Sequence, residues 1–183
     1  MKCIVPGWME EGRTGYFSNQ NDLYIDQLSK INRNFSSILE VGPGNGSFAS
    51  MVMDKYDVSS YVFLDIPTGL SGLKSSFGEK AEYVSCFDYK TLFQKKFDIV
   101  ISNVCIPETP KEYREDLLSN ILPNSNSAMI IGQLEGPWDV DKNYKEFLLS
   151  LFERLYENVE VEKTSYAECY SVVGYNEDNN TNR

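Results

Sequence analysis

The sequence predicts an α/β fold: a mostly parallel, seven-stranded sheet covered by helices on both faces, a three-layer sandwich closed by an antiparallel C-terminal hairpin. Three observations predict it. Short apolar, β-rich runs alternate five times with stretches whose apolar residues recur at three- and four-residue spacing, the pattern of a buried parallel sheet with crossover helices. The first run enters a glycine turn, Gly42-Pro43-Gly44-Asn45-Gly46, directly before a helical stretch. The last two β-rich runs, Val159 to Glu162 and Cys169 to Tyr175, are joined by only a few residues, so they pair antiparallel at one edge.

The elements follow in order. Residues 1–21 are rich in Gly, Asn, Ser and acids with Trp8, Tyr16 and Phe17 interleaved and no sustained period, which reads as an irregular arm suited to folding over a site. From Asn21 to about Arg33, Tyr24, Leu28 and Ile31 predict a helix capped by Asn21 or Asp22, completing an N-terminal segment over 1–35. Ile38 to Val41 is the first strand, and Phe48, Met51 and Val52 mark one face of the helix after the glycine turn. Strands Tyr61 to Leu64, Ala81 to Cys86, Phe97 to Ser102 and Ala128 to Ile131 continue the alternation. Between them lie a weak helix around Leu70 to Phe77, a short helical stretch around Lys90 to Phe93, a helix from about Pro110 to Leu122 with Tyr113, Leu117, Leu118 and Ile121 on its apolar face, and a helix from Lys142 to Leu155. The main domain spans 36–175; the wholly polar tail 176–183 is expected to be disordered.

Composition excludes several classes of function. With 183 residues, 42% of them hydrophobic, the chain has material for one core. Twenty-seven acidic against 17 basic residues give a net charge of −10, which repels nucleic acid and anionic lipid. There is no histidine, so catalytic triads and histidine zinc sites are out. Cys3, Cys86, Cys105 and Cys169 form no C-x-x-C pair and read as reduced thiols. No apolar run has the roughly 18 residues a membrane span needs, and a cytoplasmic protein is expected.

The glycine turn has the spacing G-x-G-x-G, not the G-x-G-x-x-G of a pyrophosphate-binding fingerprint. Asp65 follows Gly46 by 19 residues and ends the second strand, where an acid can accept from two ribose hydroxyls. Asp88 lies just after the third strand. Taken singly, the glycines also fit plain turn chemistry, and either acid also fits a helix cap or a solvated loop.

Together, Glu40-Val41-Gly42-Pro43-Gly44-Asn45-Gly46, Asp65 and Asp88 resemble the S-adenosylmethionine-dependent class I methyltransferases over roughly residues 36 to 175, including the hairpin that this family adds to a Rossmann-like sheet. The resemblance implies S-adenosyl-L-methionine as cofactor. Glu40 would then face the methionine amino group, and Gly42, Gly44 and Gly46, with Pro43 between them, would frame the methionine and ribose. Asp65 would hold the ribose hydroxyls, Ile66 would pack on the adenine, and Asp88 would accept from its exocyclic amine with Phe87 alongside. Asn103, ending the fourth strand, would sit beside the methionine moiety.

Such a cofactor brings the reactive methyl group, so the protein must align a nucleophile and, for a hydroxyl acceptor, supply a base. Glu108, in the loop after the fourth strand, is the candidate base; it also fits a solvated acid near the start of the following helix. Tyr61-Val62-Phe63-Leu64-Asp65-Ile66-Pro67 and Ile101-Ser102-Asn103 with its following Glu are similar to bacterial sugar O-methyltransferases. A catechol-type metal cluster and the Asn-Pro-Pro-aromatic loop of amino-group nucleic-acid methyltransferases are both missing, so no metal is expected. After the fifth strand, Gln133, Glu135 and Trp138 can line the acceptor side, although Trp138 serves equally as a cap on the core. The arm bearing Trp8, Arg13, Tyr16 and Phe17 is the natural lid. The core and its arm use nearly the whole chain, which implies a small acceptor or one exposed on a partner. The sequence thus points to O-methylation of a small hydroxylated metabolite, a sugar among the candidates. N-methylation of an amine or protein side chain, or a non-catalytic binding protein on the same fold, stands beside it.

Overall fold

The computed structural model describes residues 21–31, 34–134, 143–164 and 169–177. Strands β1 (Ser37–Val41), β2 (Ser60–Asp65), β3 (Glu82–Ser85), β4 (Phe97–Asn103), β5 (Ser125–Gln133), β6 (Asn158–Lys163) and β7 (Cys169–Tyr175) form one sheet in the order β3-β2-β1-β4-β5-β7-β6. Strands β1 to β5 run parallel, and β7 enters antiparallel to both β5 and β6. Helices α1 (Asn21–Lys30), α2 (Ser47–Lys55), α3 (Pro67–Phe77), α4 (Lys111–Ile121) and α5 (Tyr144–Leu155) cover it.

Alternation along the strands sends side chains to two separate cores. Ile38, Tyr61, Phe63, Ile99 and Met129 pack with α1, α2 and α3 on one face, and Leu39, Val62, Leu64, Val100 and Ile130 pack with α4 and α5 on the other. The three-layer architecture expected from the sequence is therefore present. The hairpin follows from composition: β7 is buried along its apolar length and lies inside the sheet, whereas β6 carries Glu160, Glu162 and Lys163 and forms the edge. Charge on an edge strand discourages further pairing.

Several local expectations are adjusted. The helical stretch around Lys90 to Phe93 is a single 3-10 turn, Tyr89–Leu92, anchored to α4 by the Tyr89–Tyr113 ring contact at 4.7 Å. Helix α3 begins at Pro67, three residues before the apolar pattern does, because a proline at the first turn sacrifices no hydrogen bond. Helix α1 ends at Lys30. On α4 the buried stripe is Arg114, Leu117, Leu118 and Ile121, while Tyr113 is only half-buried. The arm up to residue 20 and the tail from residue 178 lie outside the described residues, and with them the expectations of a lid and of a disordered tail.

At Gly174 of β7 an added Cβ would lie 2.7 Å from Phe152 Cδ1 and would meet the Tyr156 ring as well, so the α5 aromatics seat directly on the strand. Gly174→Ala is expected to destabilise the fold by about 1–3 kcal/mol, read as a lowered urea midpoint with an unchanged m-value.

Candidate functional site

Every candidate cofactor residue lies at or just beyond the carboxyl ends of β1 to β4, the rim where ligands of open α/β sheets bind. Backbone bonds knit this rim: Gly42 N–H donates to Leu64 O (2.9 Å), Cys86 N–H to Asp65 O (2.8 Å) and Val104 N–H to Ile131 O (2.7 Å). Because Val41 stands opposite Ser102, the next residues, Gly42 and Asn103, lie side by side, Gly42 just past β1 and Asn103 at the end of β4.

The glycine turn is fixed by two requirements. Gly42, Gly44 and Gly46 have φ of 72°, 59° and 76°, the left-handed region that a side chain disfavours. At Gly42 the position of a Cβ is also taken by the Cys105 side chain, and at Gly46 a Cβ would lie 2.5 Å from Phe77 Cε2 of α3. A Cβ at Gly44, by contrast, would meet nothing within 4 Å among the described residues. Two glycines thus close the packing, and the middle one presents bare backbone to open space. Asn45 Oδ1 accepts the Ser47 N–H (3.0 Å) and steadies the start of α2. Pro43 is buried within the turn.

Glu40 points into the α1 to α3 face, 1% exposed, where Tyr61 Oη donates to its Oε2 at 2.7 Å. Burial pushes its carboxyl up to about 7; the Tyr61 hydrogen bond opposes the shift and the nearby Asp65 adds to it. Asp65 is also shifted upward by burial, against the Ile66 N–H that it accepts on Oδ1 at 2.6 Å. Its carboxylate hangs over the first turn of α3, where Gly69 leaves room for it. Ile66 is half-buried at the start of that helix.

Beyond β3, Phe87 is 58% exposed, an apolar ring on the surface beside the rim. Asp88 precedes the 3-10 turn but caps it with its backbone carbonyl, which accepts from Thr91; its carboxylate makes no capping bond. The helix-cap alternative for Asp88 is thereby removed. At the end of β4, Asn103 Oδ1 is buried without a hydrogen-bond partner among the described residues. Such an orphaned acceptor costs about 1–3 kcal/mol unless a donor arrives, so it marks a place for an N–H or O–H. The next residue, Val104, has φ of 63°, a strained conformation for a β-branched side chain.

Glu108 closes a second 3-10 turn, Ile106–Glu108. Its side chain is exposed, yet partial loss of hydration around the carboxyl pushes it up to about 7. The thiols of Cys105 and Cys169 are its electrostatic neighbours, and burial drives both thiols up, which keeps them protonated and inert as nucleophiles. Cys105 also feels Asp65 and Cys86, so one side chain connects the glycine turn, the β2 acid and the Glu108 turn. Sequence reasoning passed over Cys105, Tyr61, Val104 and Arg114. Only Arg114 carried a readable signal, a charge at the i−3 and i−4 positions of Leu117 and Leu118. Tyr16, Glu135 and Trp138 lie outside the described residues, and among those described no cluster of His, Cys, Asp or Glu suits a metal.

Comparison with known proteins agrees with this layout. No family model matches the chain. Similar solved structures include an O-methyltransferase family protein from Burkholderia thailandensis (TM-score 0.56, 11% identity, 86% of this chain and 57% of that one). Magnesium protoporphyrin IX methyltransferase from Synechocystis PCC 6803 with bound SAM is also similar (TM-score 0.62, 12% identity, 87% and 79%). Among curated sequences, a tRNA1(Val) (adenine(37)-N6)-methyltransferase from Flavobacteriaceae bacterium (strain 3519-10) is 38% identical over 74 residues, 37% of this chain. The chain spans 32% of that relative's length. It has the fold of the class I S-adenosylmethionine-dependent methyltransferases.

Glu40 binds more protons folded than unfolded between its ordinary value of 4.5 and its native value of about 7. Stability from this group is therefore fully present at low pH and is lost as pH rises through that window. Glu40→Gln has no such slope. Relative to the wild type it should gain on the order of 2 kcal/mol between pH 4.5 and pH 7.5, measured by urea denaturation at both pH values.

Proposed function

We propose that this chain binds S-adenosyl-L-methionine at the β1 to β4 rim and methylates a small hydroxylated acceptor, with sugars the first class to try. The observation that carries the reading is the convergence of unused polar groups on that rim. The orphaned Asn103 Oδ1, the uncapped Asp88 carboxylate and the open backbone at Gly44 have no structural employment among the described residues. They suit a ligand with an amine, a ribose and an adenine. Asp65 would hold the ribose hydroxyls, Phe87 and Ile66 would cover the adenine, Asp88 would accept from its amine, and Glu40 and Asn103 would accept from the methionine amino group. When bound, the cofactor supplies a methyl group on a sulfonium, which needs an aligned nucleophile.

Glu108 provides the alignment and the base. A carboxyl held near 7 is ionised in half of the molecules at neutral pH and strong enough, when ionised, to draw the acceptor's hydroxyl proton as its oxygen attacks. Turnover should therefore rise with pH through about 7. The reduced thiols and the absence of a membrane-crossing helix among the described residues accord with a cytoplasmic setting.

A second reading is N-methylation. The segment shared with the tRNA (adenine-N6)-methyltransferase favours it, and so does Asn103, whose free acceptor suits an amine N–H. The net charge of −10 opposes a polyanionic substrate.

Calorimetric titration with S-adenosylmethionine and S-adenosylhomocysteine is the first test. Micromolar binding is expected in the wild type and a loss of roughly tenfold or more in Asp65→Ala, the equivalent of about 1.4 kcal/mol or greater. A wild type that binds neither compound overturns the enzyme reading and leaves a binding protein on a methyltransferase fold. Labelled-methyl screening of sugars against bulk tRNA follows. In the sugar case Glu108→Gln should lower turnover on the order of a hundredfold with cofactor affinity retained, and label in tRNA instead overturns the small-acceptor reading.

A further inference from the structure

Arg114 is a cation inside the protein, 4% exposed on α4 and set on the same stripe as Leu117, Leu118 and Ile121. Its Nη1 donates to Thr109 O at 3.0 Å and, at a longer 3.5 Å, to Pro107 O. Those are the carbonyls on either side of Glu108. The guanidinium also lies with its carbon 4.8 Å from the centroid of the Tyr144 ring, the first residue of α5. A buried guanidinium is expensive to desolvate, and carbonyl acceptors and an aromatic face are what make it tolerable.

The rest of the turn is held by packing. Ile106 is fully buried, and Pro107 presses on β5 so closely that a Cβ at Gly132 would lie 2.5 Å from its Cγ. Thr109 N–H and Oγ1–H both donate to Ile106 O, at 3.1 and 2.8 Å. Glu108 itself makes no side-chain hydrogen bond among those described, so its direction is set by its backbone alone, and the backbone on both of its sides is gripped by one side chain from another element.

We infer that Arg114 is a positioning residue: it clamps the Pro107 and Thr109 carbonyls and thereby fixes the Glu108 carboxylate in the partly desolvated mouth of the site. The inference rests on the proposed role of Glu108. Burial is the cause of the Glu108 shift, with Cys105 and Cys169 as its electrostatic neighbours, and the Arg114 charge is not among the causes. Arg114 therefore acts on it through the backbone. That gives the test a sign. Removing a cation that acts by its charge raises the pKa of a carboxyl, whereas freeing the turn hydrates the carboxyl and lowers it.

The experiment is a carbon-13 NMR titration of glutamate-labelled protein without ligand, with the Glu108 signal assigned by its absence in Glu108→Gln. In the wild type Glu108 titrates near 7. In Arg114→Met it should titrate about one unit lower or more, and in Arg114→Lys, which keeps the charge but lacks the fork, it should move in the same direction by less. Arg114→Lys also serves if the Met variant does not fold, and S-adenosylhomocysteine affinity checks that the rim is intact. An unmoved or raised Glu108 titration in a folded Arg114 variant overturns the inference. Full turnover in Glu108→Gln overturns the base reading instead, and the two failures are distinguishable because the titration requires no acceptor. Where an acceptor is in hand, Arg114→Lys should lower kcat roughly tenfold with KM for the cofactor unchanged, and should have no further effect on top of Glu108→Gln.

Discussion

The contact between the Gly42 backbone and the Cys105 side chain is the constraint on which the rim depends. Cys105 occupies the volume that any side chain at position 42 would need, and Gly42 adopts a φ that only glycine holds without strain. This lets the loop after β4 fold over the turn after β1. Were the two kept a methyl group apart, Asn103 and Glu108 would withdraw from the glycine turn, and Glu40, Asp65 and Glu108 would no longer share one rim. The strained Val104 lies between Asn103 and Cys105, where the chain must reverse sharply to make that contact.

Around this point the protein places its expensive groups. A buried carboxyl paired to a tyrosine, an amide oxygen without a donor, a guanidinium in the core and a carboxyl partly stripped of water all gather near one end of the sheet. Each opposes stability, and a core built for stability alone would have replaced them with apolar residues. Their concentration at the carboxyl ends of parallel strands makes that rim the candidate site on grounds independent of any likeness to other proteins. The opposite ends of the strands show the contrast: there Asp98 is satisfied by the amides of Ser36 and Ser37 and the Ser36 hydroxyl, its carboxyl is held below the ordinary range, and it works as a staple.

Two of the 3-10 turns play matching parts. One, Tyr89–Leu92, replaces a full helix between β3 and β4 and leans on α4 through Tyr89, which leaves Phe87 and Asp88 projecting at the rim. The other, Ile106–Glu108, carries the Glu108 carboxyl and leans on α4 through Arg114. A single helix thus braces both the turn that follows β3 and the turn that follows β4.

Sequence alone determined the alternation of strand and helix and the hairpin at the end, because these follow from periodicity, and the resemblance to the class I methyltransferases singled out Glu40, the glycines, Asp65, Asp88 and Asn103 where those strands end. The sequence also offered a helix cap as the use for Asp88, and only the coordinates show the backbone carbonyl doing that work. Tyr61 looked like any apolar strand residue until the register of β1 against β2 brought its hydroxyl to Glu40, 21 residues away. Cys105 and Gly42 are far apart in the chain, and nothing local announces that one fills the space the other vacates. Arg114 stood on a helical stripe where a leucine would be expected, a hint that gains meaning only when the carbonyls flanking Glu108 arrive beside it. Local pattern fixes which way a side chain faces, since that depends on a few neighbouring residues. Which groups meet across the rim, and how far they are drawn from water, is set by packing between elements distant in sequence, and that the tertiary structure alone decides.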